Sequence, residues 1–491
     1  MTTFNNAQLD HLPSGVAAPA YDRAQVRPGI VHFGVGNFFR AHLAHYVDAL
    51  LNKGGHDAWG IVGVGLRDSA SGRKKATDFA AQQGLYSLTA IAPDEARSVR
   101  AMGPMVDYIH AAPGAQREHI LDLLAAPETK IVSLTITEGG YNIDEASGRF
   151  KLDNPAVARD LAHPTEPETV FGYVVEGLAR RRAKGLGGLT IMSCDNLRQN
   201  GKVSHTAFTS YARARDAGLA DWMESHVTFP NAMVDRIAPT VTAERAAALN
   251  KASGLEDRQP VLTEAFTQWV VEDRFAAGRP DFAAVGAQFS DDVPAFEHAK
   301  IRVLNESHLM LATAGMLMGL TYVDEAMRQK ALLAFVKAVQ ECDVLPTLKA
   351  PPGVNLVDYM NTILERFSNK AMMDSLARIA SDATSKAQVF WTETVLNALA
   401  GKTETNRVAY MLALLLEYLR GQRTDGSRYE LQEPALSPEQ LKIAASDDWR
   451  AALALPAFDP FRSKMTPAFE KQIVEHRKAI RAKGVPATLP H

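Results

Sequence analysis

The chain has 491 residues, of which 46% are hydrophobic and 22% charged, and its formal net charge is −3. That much apolar material supports more than one packed core and excludes general disorder. A slightly acidic chain is not built to neutralise many phosphates, so no nucleic-acid partner is expected; the short basic clusters at 73–75 (RKK) and 180–184 (RRRAK) are solvated helix faces.

The two cysteines, Cys194 and Cys342, form no CxxC pair, so no thiolate zinc cage, and no metal, is expected. The first ten residues are polar and lack an apolar signal core. No apolar run reaches the ~18 residues that span a bilayer; the longest, 311–319 and 411–419, are buried helices instead. The expectation is a soluble cytoplasmic protein with no membrane partner.

In chain order, 29–34 (GIVHFG) is a strand and 37–52 a helix. Segments 59–66 (WGIVGVGL), 130–136 (KIVSLTI) and 189–193 (LTIMS) are further strands. Near-continuous apolar strands separated by helices predict a parallel sheet covered on both faces. Such sheets bind ligands at the carboxyl ends of their strands. Segment 263–281 ends in a Gly-Arg-Pro turn, and the domain junction is placed just after it, giving domains 1–287 and 288–491. From about Asp291 onward amphipathic helical patterns dominate (296–317, 325–340, 356–367, 389–399, 407–419), so the second domain is mainly α. The fold class is therefore an α/β domain followed by a helical one.

Gly34-Val35-Gly36 closes the first strand and opens the first helix, followed by Asn37 and Phe38. Glycine lets the backbone approach a pyrophosphate, and a helix N-terminus favours its charge. The fingerprint is truncated, because Phe39 stands where the third glycine belongs. Asp68, after the second strand, is placed to grip an adenosine ribose and so to select NAD; a plain turn residue is the competing reading. Its neighbours Arg67, Arg73, Lys74 and Lys75 would instead accept the 2′-phosphate of NADP. Thr137 and Glu138 follow a third strand and Asn196 a fourth, all at the ligand-binding edge.

Alcohol oxidation needs a base for the hydroxyl proton and donors for the developing alkoxide. A metal set is missing, and none of the 12 tyrosines has a lysine four residues on. The segment 300–308 (KIRVLNESH) supplies a lysine, an amide and an imidazole instead. At about 100° per residue, His308 lies about 80° and Asn305 about 140° round from Lys300, with Arg302 and Glu306 as an ion pair on the opposite side. The apolar run that follows turns this helix inward, where desolvation would lower the Lys300 pKa toward the range of a base.

These residues resemble the K-x-x-x-x-N-x-x-H signature of the polyol-specific long-chain dehydrogenases, the mannitol dehydrogenase family. The segments 34–42 (GVGNFFRAH), 133–141 (SLTITEGGY), 193–197 (SCDNL), 229–237 (FPNAMVDRI) and 378–386 (RIASD-x-x-SK) resemble it as well. The resemblance implies a Rossmann-type N-terminal domain, a helical C-terminal domain, a site in the cleft between them, and members that are often monomeric. It implies Lys300 as general base, Asn196 and Asn305 as alkoxide donors, and His308 as substrate holder. Asp235, Arg378 and Lys386 would contact substrate hydroxyls, and Glu297 would line a proton path. Glu306 departs from the family, where a small residue is usual. The expected reaction is NAD-dependent oxidation of a polyol to a ketose, with D-mannitol to D-fructose favoured by Arg378 beside Ser381-Asp382. Reduction of fructuronate or tagaturonate, and oxidation of sorbitol or arabinitol, are the alternatives within the family. A nicotinamide-binding sensor or an inactive paralogue is the alternative outside it.

Overall fold

Apolar runs in the first half of the chain are too short for helices and end at glycine or polar residues, and they form strands. The structure is a computed structural model that describes residues 4–111, 115–144 and 147–490. Five parallel strands make one sheet: β1 (Pro28–Phe33), β2 (Gly60–Gly65), β3 (Met105–His110), β4 (Ile131–Leu134) and β5 (Thr190–Ser193). Their order is β3-β2-β1-β4-β5, every neighbouring pair parallel. The order reverses between β1 and β4, and that switch point is where such sheets bind ligands. Ile30, Val31, Phe33, Ile131, Val132 and Ile191 are fully buried, as a sheet covered on both faces requires.

Three pieces of this unit escaped the reading of the sequence. The edge strand β3 carries Asp107 and Tyr108 and lacks an apolar run. A hairpin of Tyr86–Ile91 with Arg97–Met102 pairs antiparallel and is joined by Val261–Glu264 in a separate sheet. Also, β6 (Ala232–Asp235) runs antiparallel to β7 (Gln268–Val271). The helix expected over 37–52 is two helices, α1 (Asn37–Ala41) and α2 (Leu43–Leu51). They break at His42, whose φ of −111° and ψ of −88° leave the helical region. The buried His42 ring bonds the Gln268 carbonyl at 2.9 Å and stacks on Phe38, a tertiary anchor that overrides the helical pattern.

The chain divides into two compact units after Pro294, with Pro93–Glu95 belonging to the second. The second unit is helical among the described residues. Its central helix, α4 (Glu306–Leu317), buries every residue except His308. Around it stand α5 (Leu376–Ala380), α6 (Ala383–Phe390), α7 (Thr392–Leu399) and α8 (Thr405–Tyr418), and α8 packs on α9 (Pro467–Lys483). The Thr466 side chain caps α9 at the Phe469 N–H, and Pro467 sits where a missing N–H costs nothing. The expected helix over 325–340 is interrupted between Val323–Met327 and Lys330–Val339, and it continues as a π-turn at Gln340–Val344. Both long apolar runs, 311–319 and 411–419, lie in buried helices, and no helix among the described residues is long and apolar enough to cross a membrane.

The α8–α9 contact holds a charge cluster. Glu417, 1% exposed, accepts from Arg477 at 2.9 Å, from Arg481 at 3.0 Å and from Arg420 at 2.8 Å. Arg477 is itself fully buried. Removing one partner of a buried pair strands the other charge in a low dielectric. Glu417→Ala is therefore expected to destabilise the helical unit by about 3–5 kcal/mol, read from urea unfolding monitored at the α-helical signal. A change within 1 kcal/mol would mean that solvent reaches the three guanidinium groups.

Candidate active site

The first unit supplies a cavity at the switch point of its sheet. It has a volume of about 560 Å³ and is lined by the β1 and β2 ends, the turn after β4 and the start of α3 (Ala70–Gln82). Gly34 turns the chain with φ +98°, and a Cβ there would lie 2.0 Å from the Thr135 carbonyl oxygen. Only glycine fits that turn. Gly36 ends the turn as the N-cap of α1 and would meet nothing closer than 3.8 Å, so its surface is open to a ligand. Phe39, at the third glycine position, is buried and stacks on His32 with ring centroids 3.6 Å apart.

His32 supports the glycine turn from below. Its ring bonds Ser133 Oγ at 2.9 Å, Thr135 Oγ1 at 3.0 Å and the Gly34 carbonyl at 3.2 Å. Burial depresses its pKa to about 3, so the imidazole is neutral. On the far side, Asp195 accepts the N–H groups of Ile136 and Thr137, both at 2.9 Å, and the Tyr141 hydroxyl at 2.7 Å. These bonds hold Thr137 at φ +66°, a conformation that costs a non-glycine residue free energy and that persists only where its surroundings impose it. Thr137 lines the cavity, with Gly139, Gly140 and Asn142 beyond it.

Of the expected cofactor residues, Gly34, Gly36, Arg67 and Thr137 line the cavity. Asn37 is engaged elsewhere, donating to the Pro239 carbonyl at 3.2 Å and accepting from Arg40 at 2.6 Å. Phe38 stacks on His42, and Glu138 is exposed outside the lining. Asp68 is not in the lining either; its carboxylate is exposed and ion-paired with Arg73. The wall beside it is Arg67, Ser69, Ser71 and Gly72. Lys74 pairs with Asp78 at 2.6 Å. Lys75 lines the cavity, bonds the Val35 carbonyl at 2.7 Å, and has its pKa lowered to about 8 by burial, with Arg40 adding to the shift. Nothing in the sequence pattern singled out Ser69, Ser71 or the Thr169–Phe171 wall, because a cavity lining has no period along the chain. The cavity size and the glycine turn fit a dinucleotide.

Asp235 ends β6 and is 5% exposed, while Asn196 lies exposed after β5. In the second unit the signature segment is not a plain α-helix. Residues Lys300–Asn305 form a π-turn, in which the Glu306 N–H bonds the Ile301 carbonyl five residues back. The 100° spacing used to read the sequence therefore fails here. In a π-turn, residues five apart approach one face, so Lys300 and Asn305 come closer in direction than the expected 140°. His308 follows three residues on. Lys300 and Glu297 are each 8% exposed.

The opposite face is not solvated. Arg302 is 1% and Glu306 0% exposed, 3.4 Å apart. Arg302 also meets Glu393 at 2.7 Å and donates to Thr394 at 3.0 Å. Burial pushes the Glu306 carboxyl up to about 7 against the pull of Arg302 and Thr394. Gln340 donates to the Arg302 carbonyl at 3.2 Å and Trp391 to the Glu306 carbonyl at 3.3 Å, so side chains from two other elements hold the turn's backbone. His308 stacks on Phe367, and burial lowers its pKa to about 4. Arg378, on α5, is exposed and clamped by Asp374 at 3.2 Å. Lys386, on α6, donates to the Ile379 carbonyl at 2.8 Å and the Ser381 carbonyl at 2.6 Å. No cluster of three His, Cys, Asp or Glu side chains suited to a metal occurs among the described residues.

Comparison with known proteins assigns both units. The mannitol dehydrogenase Rossmann domain matches residues 28–284, and the mannitol dehydrogenase C-terminal domain matches residues 292–480. The chain belongs to the mannitol dehydrogenase family. Its fold is thus a Rossmann domain followed by the family's C-terminal domain, and it is an oxidoreductase of the family acting on polyol CH–OH groups. A polyol:NADP oxidoreductase of Gluconobacter oxydans is 52% identical over 98% of this chain and 99% of its own length. A mannitol 2-dehydrogenase of Phaeosphaeria nodorum is 38% identical over 90% of this chain and 78% of its own. The solved structure of a substrate-free D-sorbitol dehydrogenase superposes with a TM-score of 0.95 at 50% identity, covering all of both chains. That of the Pseudomonas fluorescens mannitol 2-dehydrogenase, in ternary complex with NAD and D-mannitol, does so with 0.85 at 40% identity over 99% of each chain.

The neutral state of His32 is testable through pH. Above pH 6.5 the ring is neutral folded and unfolded, and it contributes no slope. Below 6.5 the unfolded chain binds a proton that the folded site refuses until about pH 3, so stability is lost as pH falls through that window. In His32→Gln, the slope of unfolding free energy between pH 4.5 and 6 should shrink by about 1.4 kcal/mol per pH unit, one proton's worth. An unchanged slope would place a proton on the native ring.

Proposed function

We propose that this enzyme oxidises a secondary alcohol of a linear hexitol to the ketohexose, using NAD or NADP, with Lys300 as general base. The observation that carries the proposal is the π-turn at Lys300–Asn305, which brings a buried lysine and an amide toward one face. The cofactor, held by the Gly34–Gly36 turn with Arg67 and Thr137, supplies the hydride acceptor. Lys300 takes the hydroxyl proton as the C–H bond breaks. The amides of Asn305 and Asn196 donate to the oxygen as negative charge develops on it. His308, Arg378, Lys386 and Asp235 bind the remaining hydroxyls, and Glu297 relays the proton from Lys300 toward solvent. No step calls for a metal.

D-Mannitol oxidation to D-fructose is the first reading. D-Sorbitol is the second, favoured by the 50% identity to a D-sorbitol dehydrogenase over the whole chain. The two hexitols differ only at C2, and oxidation there removes the difference. NAD is the first cofactor reading. NADP is the second, supported by an Asp68 carboxylate turned toward Arg73, by Arg67 and two serines in the cavity wall, and by the likeness to a polyol:NADP oxidoreductase.

Turnover of mannitol, sorbitol, arabinitol, fructuronate and tagaturonate with each cofactor, with a chelator present, tests this assignment. A hexitol should be the best substrate. A uronate reduced far faster than fructose would overturn it, as would activity lost to the chelator and restored by zinc. Lys300→Ala is expected to lower kcat by about 10²- to 10⁴-fold and to leave cofactor binding, followed by nicotinamide fluorescence, unchanged. Near-native turnover in that variant would move the base elsewhere.

If NAD is preferred, Asp68→Ala should erode the preference. If NADP is preferred, Arg67→Ala should lower NADP affinity without affecting NAD.

A further inference from the structure

Asp374 lies outside the family signature, yet it joins two of the residues given to substrate. Its Oδ1 accepts from Arg378 Nε at 3.2 Å, and its Oδ2 stands 3.6 Å from His308 Nε2. Both facing atoms, Oδ2 and Nε2, are buried and make no hydrogen bond. The Asp374 side chain is 7% and the His308 side chain 12% exposed. The imidazole lies flat on the buried Phe367 ring, centroids 4.4 Å apart and 20° from parallel, which fixes its plane.

A separation of 3.6 Å is too long for a hydrogen bond, and a buried polar atom without a partner is costly. Burial keeps His308 neutral, and Asp374, Arg378, Arg366 and Lys386 are the charged groups that act on it. A neutral ring carries one N–H, and the carboxylate facing Nε2 favours the tautomer with the proton there. The pair thus offers one donor and one acceptor. A hydroxyl satisfies both, accepting from Nε2–H and donating to Oδ2. A carbonyl leaves the carboxylate without a donor, and a methylene satisfies neither.

We infer that Asp374 and His308 together bind a single hydroxyl of the substrate, which makes Asp374 a specificity-determining residue. This rests on the hexitol oxidation proposed above. The role differs from positioning of the base, since it acts on one substrate hydroxyl and not on the reacting carbon.

The test uses wild-type enzyme, Asp374→Asn and His308→Gln, with a hexitol and its set of monodeoxy analogues. For the wild type, one monodeoxy compound should show a KM raised by about 10- to 100-fold, as expected for losing a hydrogen bond to a charged group. Asp374→Asn should raise the hexitol KM by a similar factor with a smaller fall in kcat, leave cofactor affinity unchanged, and have almost no further effect on that one analogue. His308→Gln should show the same dependence on the same position.

Two outcomes would overturn the inference: an Asp374→Asn enzyme that loses the same factor on every analogue, which is a structural role, or one that binds the hexitol like the wild type. The monodeoxy series on the wild type alone decides the hydroxyl contact if the variants do not fold. A wild type that oxidises no polyol defeats the proposed function itself, and Asp374 falls with it by a result visible in the control.

Discussion

A guanidinium buried at Arg302 holds together the turn on which the proposed chemistry of the helical unit depends. It meets Glu306, Glu393 and Thr394 from below, so the face opposite Lys300 is tied to three groups at once. A π-turn leaves backbone carbonyls out of the usual α-helical ladder. Here the Arg302 carbonyl receives a side-chain donor from Gln340, and the Glu306 carbonyl, just beyond the turn, one from Trp391. The turn is thereby paid for in hydrogen bonds from neighbouring elements. A helix that simply continued in α geometry would aim Asn305 away from the lysine. Glu306, unusual for the family, belongs to this support and not to the reacting surface.

The Rossmann unit solves a parallel problem with different means. Its cavity is bounded by a glycine in the left-handed region at one loop and a strained threonine at another, and both are stabilised from outside their loops. His32 bonds the turn from within the sheet, and Asp195 gathers two backbone N–H groups of the opposite loop. Both groups are fully or nearly buried and both have shifted ionisation, the histidine downward and the aspartate upward, because burial disfavours their charged forms. Strain at the ligand-facing backbone is matched by satisfied polar groups behind it, the usual arrangement where a site must be rigid before its ligand arrives.

The two halves also differ in the groups they present. The cavity of the first unit is walled by glycines, serines and backbone, which suits a cofactor common to many enzymes. The residues around His308 in the second unit are charged side chains clamped to one another: Asp374 to Arg378, and Lys386 to the carbonyls that end α5. Clamped side chains lose little freedom when a substrate binds, and they reject a partner that lacks the matching hydroxyl.

Much of this was legible in the residues themselves. Short apolar runs bounded by glycine gave four of the five parallel strands, since a doubly covered strand must be apolar throughout, and Gly34-Val35-Gly36 marked the cofactor turn for a steric reason that holds at any such turn. The K-x-x-x-x-N-x-x-H segment named the candidate base and its neighbours. Other features depended on packing between segments distant in sequence. The edge strand β3 carries no continuous apolar run because one of its edges has no neighbouring strand. The break at His42 comes from a bond to Gln268, more than two hundred residues away. The carboxylate of Asp68 turned to Arg73 and left the cavity wall to Arg67 and its serine neighbours. The π-turn could not be read from a 100° wheel, because its register is set by Gln340, Trp391 and a buried ion pair. Sequence determines which groups are present and which segments must be buried; the direction in which each polar group points is decided only when the elements pack and buried donors and acceptors compete for partners.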